Sequence, residues 1–236
     1  MTPLLATHAL TAFYGDFQAL FGVDFELRAG EAVGIIGANG AGKSTFLKAV
    51  TGLLPAAPET IVFDGRPIGG LPAAQIVRRG IAMVPEGRRL FPSLSVEENL
   101  LIGGYAKRTG PWNLARVYEL FPALQPLRAL PGNALSGGQQ QMVAIGRALL
   151  ANPRLLICDE ISLGLSPLIV TGIYQTLPAM MREGLSVVVV EQDVGLAQRM
   201  TSRLYCFQEG RVSLHGRSSE LTRAAISAAY FGSAAA

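Results

Sequence analysis

The stretch AVGIIGANGAGKST, Ala32–Thr45, constrains the architecture more than any other part of this chain. An apolar run ends at Gly37, a glycine- and alanine-rich turn follows, and KSTFLKAVTGL (Lys43–Leu53) has helical character. A strand feeding such a turn and then a helix is the setting in which backbone N–H groups converge on an anion. Small side chains across Gly37, Ala38, Asn39, Gly40, Ala41 and Gly42 let the backbone wrap closely around phosphates. Lys43 brings a mobile charge suited to β- and γ-phosphates, and Ser44, followed by Thr45, brings a hydroxyl suited to Mg²⁺. A fortuitous glycine-rich turn would not match every position in this strand-to-helix order.

The remaining periodicity predicts an α/β chain. LLATHAL and YGDFQALFGVDFELRAGE alternate around turn residues near Gly15 and Gly30, which predicts short antiparallel strands. Ile61–Asp64 and Ile81–Val84 read as further strands. From about Gly87 to Ala151 the pattern becomes helical in VEENLLIGGYA, LARVYELF and GGQQQMVAIGRALLA, broken by Pro111, Pro122, Pro126 and Pro131. Next come a strand at Leu155–Cys158, a helix at Leu168–Arg182, a strand at Ser186–Val190 and a helix at Val194–Met200. Strands at Leu204–Gln208 and Val212–His215 meet at a turn around Glu209–Gly210, and the alanine-rich end Ser233–Ala236 is expected to fray.

Composition narrows the classes. Half of the 236 residues are hydrophobic and 16% are charged, which excludes a disordered chain and leaves one large domain or two small ones. The net charge of +3 comes from scattered basic residues without a stripe, which argues against nucleic acid as a partner. The apolar excess fits either a well-filled parallel-sheet core or a surface kept for a partner. Cys158 and Cys206 lie in apolar runs without metal-ligand spacing and are expected to be reduced core thiols. The N-terminus lacks the pattern of a signal peptide, and no apolar run approaches the roughly 20 residues that span a bilayer. A cytoplasmic chain follows, unless something recruits it to a membrane.

Asp159 and Glu160 end the apolar strand LLICDE. In a P-loop NTPase the first acid holds Mg²⁺ and the second is placed to orient or deprotonate the attacking water. A pair of surface carboxylates capping a strand is the other reading, and the expected place of these acids on the sheet edge beside the cradle argues against it.

The run LSGGQQQMVAIGRALL, beginning at Leu135, resembles the signature motif of the ATP-binding-cassette (ABC) family. The ordered set of cradle, signature and acidic strand extends that resemblance over nearly the whole chain, from Tyr14 to Gly216. It implies one ABC ATPase domain over residues 1–236: a RecA-like core, an N-terminal antiparallel β subdomain, and a helical subdomain inserted at about 87–151. It implies ATP and Mg²⁺ as ligands. In the family the signature serine and glycines contact the γ-phosphate of ATP held by a partner domain, which assigns Ser136, Gly137 and Gly138. Tyr14 falls where the family places an aromatic that stacks on adenine, worth on the order of 1 kcal/mol; a core role is the other reading, and Phe13 the fallback.

Four positions depart from the general pattern. Glu86 replaces a glutamine in VPEGRRLF, Gln192 replaces the switch histidine in VVVVEQD, and the loop after Glu160 carries Ile161 and Leu165 in place of a proline and an aspartate. His8 and His215 are the chain's two histidines and are far from position 192 in sequence. Together VPEGRRLFPSLSVEENL, SLGLSP and VEQD resemble the ATPase subunits of branched-chain amino acid importers, the shorter of two such subunits. Even there a proline is expected at 161, so the geometry of that loop stays open.

The resemblance implies a partner ATPase subunit forming a heterodimer, two transmembrane permease subunits and, indirectly, a periplasmic solute-binding protein. It implies a peripheral location on the cytoplasmic face of the inner membrane. Glu160 would be general base, Lys43 and Gln192 would contact the phosphates, and Ser44 and Asp159 would hold Mg²⁺. A carboxylate at Glu86 repels the γ-phosphate unless it binds Mg²⁺ or is protonated, so a site more dependent on Mg²⁺ is expected. An importer for urea, an amide or another small solute remains an alternative, as does a soluble non-transport ABC ATPase; a GTPase would carry an NKxD motif, which is absent.

Overall fold

The computed structural model describes residues 2–231, and the stretch Ser233–Ala236 expected to fray lies outside the described residues. In chain order the strands and helices are β1 (Leu5–Tyr14), β2 (Phe17–Leu27), β3 (Ala32–Gly37), α1 (Lys43–Val50), β4 (Ile61–Phe63), β5 (Arg66–Pro67), α2 (Ala73–Arg79), β6 (Ile81–Val84) and α3 (Val96–Ile102). They continue with α4 (Leu114–Leu120), α5 (Gly137–Leu149), β7 (Leu155–Asp159), α6 (Pro167–Tyr174), α7 (Leu177–Arg182), β8 (Ser186–Val190), α8 (Val194–Met200), β9 (Arg203–Gln208), β10 (Arg211–Arg217) and α9 (Arg223–Phe231). Two compact units divide the chain. One holds the residues up to Ile76 and those from Ser186 onward; the other is Val77–Leu185.

The first unit contains an antiparallel sheet in the order β2-β1-β4-β5. β2 alternates buried and exposed positions along its second half, as a strand with one solvated face does. β1 bulges at Ala9, whose φ is 44° and whose N–H donates to Asp24 Oδ1 at 2.8 Å. The same unit holds a parallel set in which β3 pairs with β8 on one side and β9 on the other, with β10 antiparallel on β9. Every residue of β3 and β8 is buried, which is why AVGIIG and SVVVV read as continuous apolar runs. Ile36, Cys206 and Leu204 pack there with Ala197 and Ile226. Both cysteines are buried and outside any disulfide, and burial pushes the Cys206 thiol above its ordinary pKa.

The second unit carries the parallel pair β6–β7 and the helices α3 to α7. Ser95 and Glu98 form a reciprocal capping box at the start of α3, and Ser136 and Gln139 do the same for α5. The single helix expected over Leu168–Arg182 is two, α6 and α7. Pro178 has no N–H to give the carbonyl of Tyr174, and its ring crowds that carbonyl, so the chain restarts as a new helix at Leu177. Helix α1 stops at Val50, short of Leu53, because Gly52 adopts φ 71°. The sequence reading has no helix at α2 or α9; each is short, seven and nine residues, and α9 is rich in alanine, which marks no strong apolar stripe.

Candidate functional site

The cradle lies where β3 ends. Gly40 and Gly42 hold φ of 81° and 101°, left-handed values that an L side chain resists, and Gly42 passes directly into α1. The first turn of α1 therefore directs N–H groups without intrahelical partners toward the loop's concavity. Lys43 is 4% exposed, and its Nζ donates to the carbonyls of Gly37 at 2.7 Å and Ala38 at 3.1 Å. Its ammonium is thus stored inside the loop. A Cβ on Gly37 would sit 2.4 Å from the carbonyl oxygen of Phe207, so only glycine fits where β3 meets β9.

Tyr14, at the end of β1, reaches the same helix turn. Its hydroxyl lies 3.5 Å from Thr45 Oγ1, and the Lys48 ammonium lies 5.5 Å from the ring centroid. Tyr14 is 43% exposed, with Phe13 and Phe17 also exposed at that hairpin. A half-exposed ring beside the cradle excludes the core reading of Tyr14. In the parallel register Ile35 pairs with Val190, so Gly37 and Gln192 follow at the same strand edge. Gln192 is exposed and borders a cavity of about 880 Å³ between α8 and α9, lined also by Gln198, Arg199, Arg223, Ile226 and Tyr230. The neighbouring Glu191 is buried and donates its N–H to the carbonyl of Ile35 at 3.1 Å.

The second unit gathers the other candidates. Val84 pairs with Cys158, so the chain beyond β6 delivers Glu86 to the strand edge where β7 delivers Asp159 and Glu160. Asp159 is buried, Glu86 is exposed, and Glu160 is half-buried with φ 47°, a left-handed conformation costly for glutamate. Ile161 is 2% exposed; its side chain is core, and the turn beyond it closes through Leu163 N–H to the Glu160 carbonyl at 3.1 Å. Ser136 caps the start of α5, Gly137 faces the Arg88 guanidinium, and Gly138 leaves room for Ile169 of α6, which a Cβ would approach to 2.8 Å.

Sequence reasoning missed the side chains that shape the segment after Glu86. Gly87, Arg88 and Arg89 all adopt positive φ. Arg147 of α5 donates to the carbonyls of Arg88 at 3.0 Å and Arg89 at 2.8 Å, and burial lowers the pKa of its guanidinium. Asn99 is fully buried and donates from Nδ2 to the carbonyls of Phe91, Leu94 and Ser95 while Oδ1 accepts from Phe91 N–H. A buried asparagine within VEENLL was the one legible signal.

Ser44 and Asp159 are a hydroxyl and a carboxylate, oxygen donors that suit Mg²⁺ better than a soft transition metal. The backbone cradle and its stored ammonium suit a polyphosphate. The ABC transporter family model matches residues 20–162. The chain belongs to the ABC transporter family.

Among its relatives is the high-affinity branched-chain amino acid transport ATP-binding protein BraG of Pseudomonas aeruginosa, 42% identical over 97% of this chain and 100% of that protein. A probable branched-chain amino acid transport ATP-binding protein, LivF, of Archaeoglobus fulgidus is 32% identical over 92% of this chain and 94% of its own length. The lipopolysaccharide export ATP-binding protein LptB of Escherichia coli is 31% identical over 94% of this chain and 93% of its own. The ADP form of a solved ATP-binding cassette superposes with a TM-score of 0.82 at 26% identity, covering 97% of this chain and 94% of that one. A dimeric cassette in a post-hydrolysis state with ADP and Pi gives 0.80 at 26% identity over 91% and 98%. The fold is thus the α/β P-loop NTPase expected. ABC cassettes bind ATP or ADP and act as dimers with transmembrane permease partners. Transporter subunits are membrane-associated, and no helix among the described residues is long and apolar enough to cross a membrane.

Proposed function

We propose that this cassette is the ATP-hydrolysing subunit of an importer for branched-chain amino acids. The observation that carries the cargo is the full-length likeness to BraG at 42% identity, above the 31% shared with an export ATPase of different cargo. On this reading residues 1–236 work as one cassette, peripheral to the cytoplasmic face of the inner membrane. It pairs with a second, different ATPase subunit beneath two permease subunits, and a periplasmic solute-binding protein delivers the amino acid.

The cradle supplies the binding step. When phosphates arrive, the Lys43 ammonium exchanges the carbonyls of Gly37 and Ala38 for anionic oxygens, a charge-assisted contact of greater strength. Backbone N–H groups from Gly40 to Thr45 surround the same oxygens, and Tyr14 stacks on adenine. Ser44 and Asp159 hold Mg²⁺, with Glu86 as a further oxygen ligand; when bound, the ion neutralises charge on the β- and γ-phosphates. Glu160 accepts the proton of the attacking water, and the Gln192 amide donates to the γ-phosphate. Ser136, Gly137 and Gly138 seal the ATP held by the partner subunit.

Uptake of radiolabelled leucine by cells lacking this chain tests the proposal. Complementation with the native chain restores uptake, and Glu160→Gln does not. If the native chain restores uptake of urea or an amide but not of leucine, the cargo is different. If the tagged chain recovered from solubilised membranes brings only soluble partners, the transport role itself is wrong.

A further inference from the structure

A phosphate cradle works only if its N–H groups face inward, so its carbonyls face outward and need donors of their own. In a planar trans peptide the C=O and the following N–H point in opposite directions. Whatever holds the carbonyl of Ala41 therefore sets the direction of the Gly42 N–H. In this chain the donor is the N–H of Gly210, 2.9 Å away, at the tip of the β9–β10 hairpin.

That tip is gripped from the other side as well. The Gly210 carbonyl accepts from Phe21 N–H of β2 at 2.9 Å. The next residue, Arg211, donates from Nη1 to the Phe21 carbonyl at 2.9 Å and lies 5.0 Å over the Phe21 ring. Gly210 holds φ 73°, and a Cβ there would sit 2.3 Å from the Ala19 carbonyl oxygen, a backbone atom that cannot swing aside. A Cβ on Gly42 would in turn lie 3.1 Å from the Gly210 Cα. Two glycines thus let the hairpin tip wedge between β2 and the loop.

We propose that Gly210 is a positioning residue for nucleotide binding: its N–H locks the Ala41–Gly42 peptide with the Gly42 N–H turned into the cradle. Its carbonyl ties the cradle to β2, the strand that follows the Tyr14 turn. The inference rests on the reading of residues 37–45 as a phosphate cradle.

Gly210→Ala in the full chain tests it, with ATP affinity measured by calorimetry and turnover by phosphate release. The expected result is an increase in Kd and KM on the order of ten-fold, the equivalent of about one hydrogen bond, with a smaller change in kcat. A merely structural lesion would instead lower kcat through loss of active protein and leave KM unchanged. Arg211→Ala, which keeps the backbone bond, should retain native KM. Gly210→Ala with native Kd and KM overturns the proposal. If that variant fails to fold, amide hydrogen exchange of the native chain decides: ATP should slow exchange in the 207–212 segment, and unchanged exchange there overturns the proposal. A native chain that binds no ATP overturns the cradle reading itself.

Discussion

Glu160 occupies a conformation that inverts the usual effect of glycine. Its φ of 47° puts a glutamate in the left-handed region, where the Cβ crowds the backbone at a cost of about 1–2 kcal/mol. Glycine carries no such cost there but gives up about 0.5–1 kcal/mol of extra chain entropy on folding. The comparison of Glu160→Gly with Glu160→Ala isolates the backbone, since both remove the carboxylate and its contacts. At an ordinary position the glycine variant would be the less stable by about 0.5–1 kcal/mol. Here it should be the more stable by roughly 0.5–1 kcal/mol, a rise of about 1–4 °C in Tm for a chain of this size. Thermal unfolding followed by circular dichroism measures the difference. Both variants, with Glu160→Gln beside them, should lose ATP hydrolysis by roughly 10²–10⁴-fold if Glu160 is the base. Glycine less stable than alanine would refute the strain argument. The native residue is then strained, and the strain persists because the turn through Leu163 and the burial of Ile161 hold the backbone on the side that follows it.

Lys43→Ala should raise the Kd for ATP by ten-fold or more, since a hydrogen bond from a charged donor contributes about 1.5–3 kcal/mol; an affinity within two-fold of native in calorimetry would contradict the stored-ammonium picture. Glu86→Gln removes both a carboxylate ligand and the repulsion that the ion offsets, so it should reduce the factor by which Mg²⁺ strengthens ATP binding in calorimetry, and an unchanged Mg²⁺ dependence would remove Glu86 from the ion's surroundings. Desolvation, reinforced by Glu97, pushes the Tyr118 phenol up to about 12. The unfolded chain loses that proton near its ordinary value of about 10 while the folded chain keeps it. Tyr118 therefore contributes stability that is present below pH 10 and lost between about 10 and 12. A Tm-against-pH curve that falls across this window in the native chain and less steeply in Tyr118→Phe is the expected outcome; parallel curves would exclude it.

What depends on neighbours along the chain was legible before any tertiary contact. β3 and β8 follow from unbroken apolar runs, the cradle from small residues at fixed spacing, and the cap of α5 from serine followed three residues later by glutamine. The break at Pro178 was also local, since proline's missing N–H acts within one turn, and the helix read over it was an error of weighing rather than of information. Ile161 left its loop open in sequence because an apolar residue in a turn is core only if the tertiary fold closes over it, which it does. Asn99 and Arg147 become structural once burial leaves backbone carbonyls that only their side chains reach. The partner of the Ala41 carbonyl lies at Gly210, and no periodicity links two positions so far apart in the chain. Short-range sterics and hydrogen bonding wrote the elements into the sequence, whereas the pairing of distant strands decided which backbone groups meet.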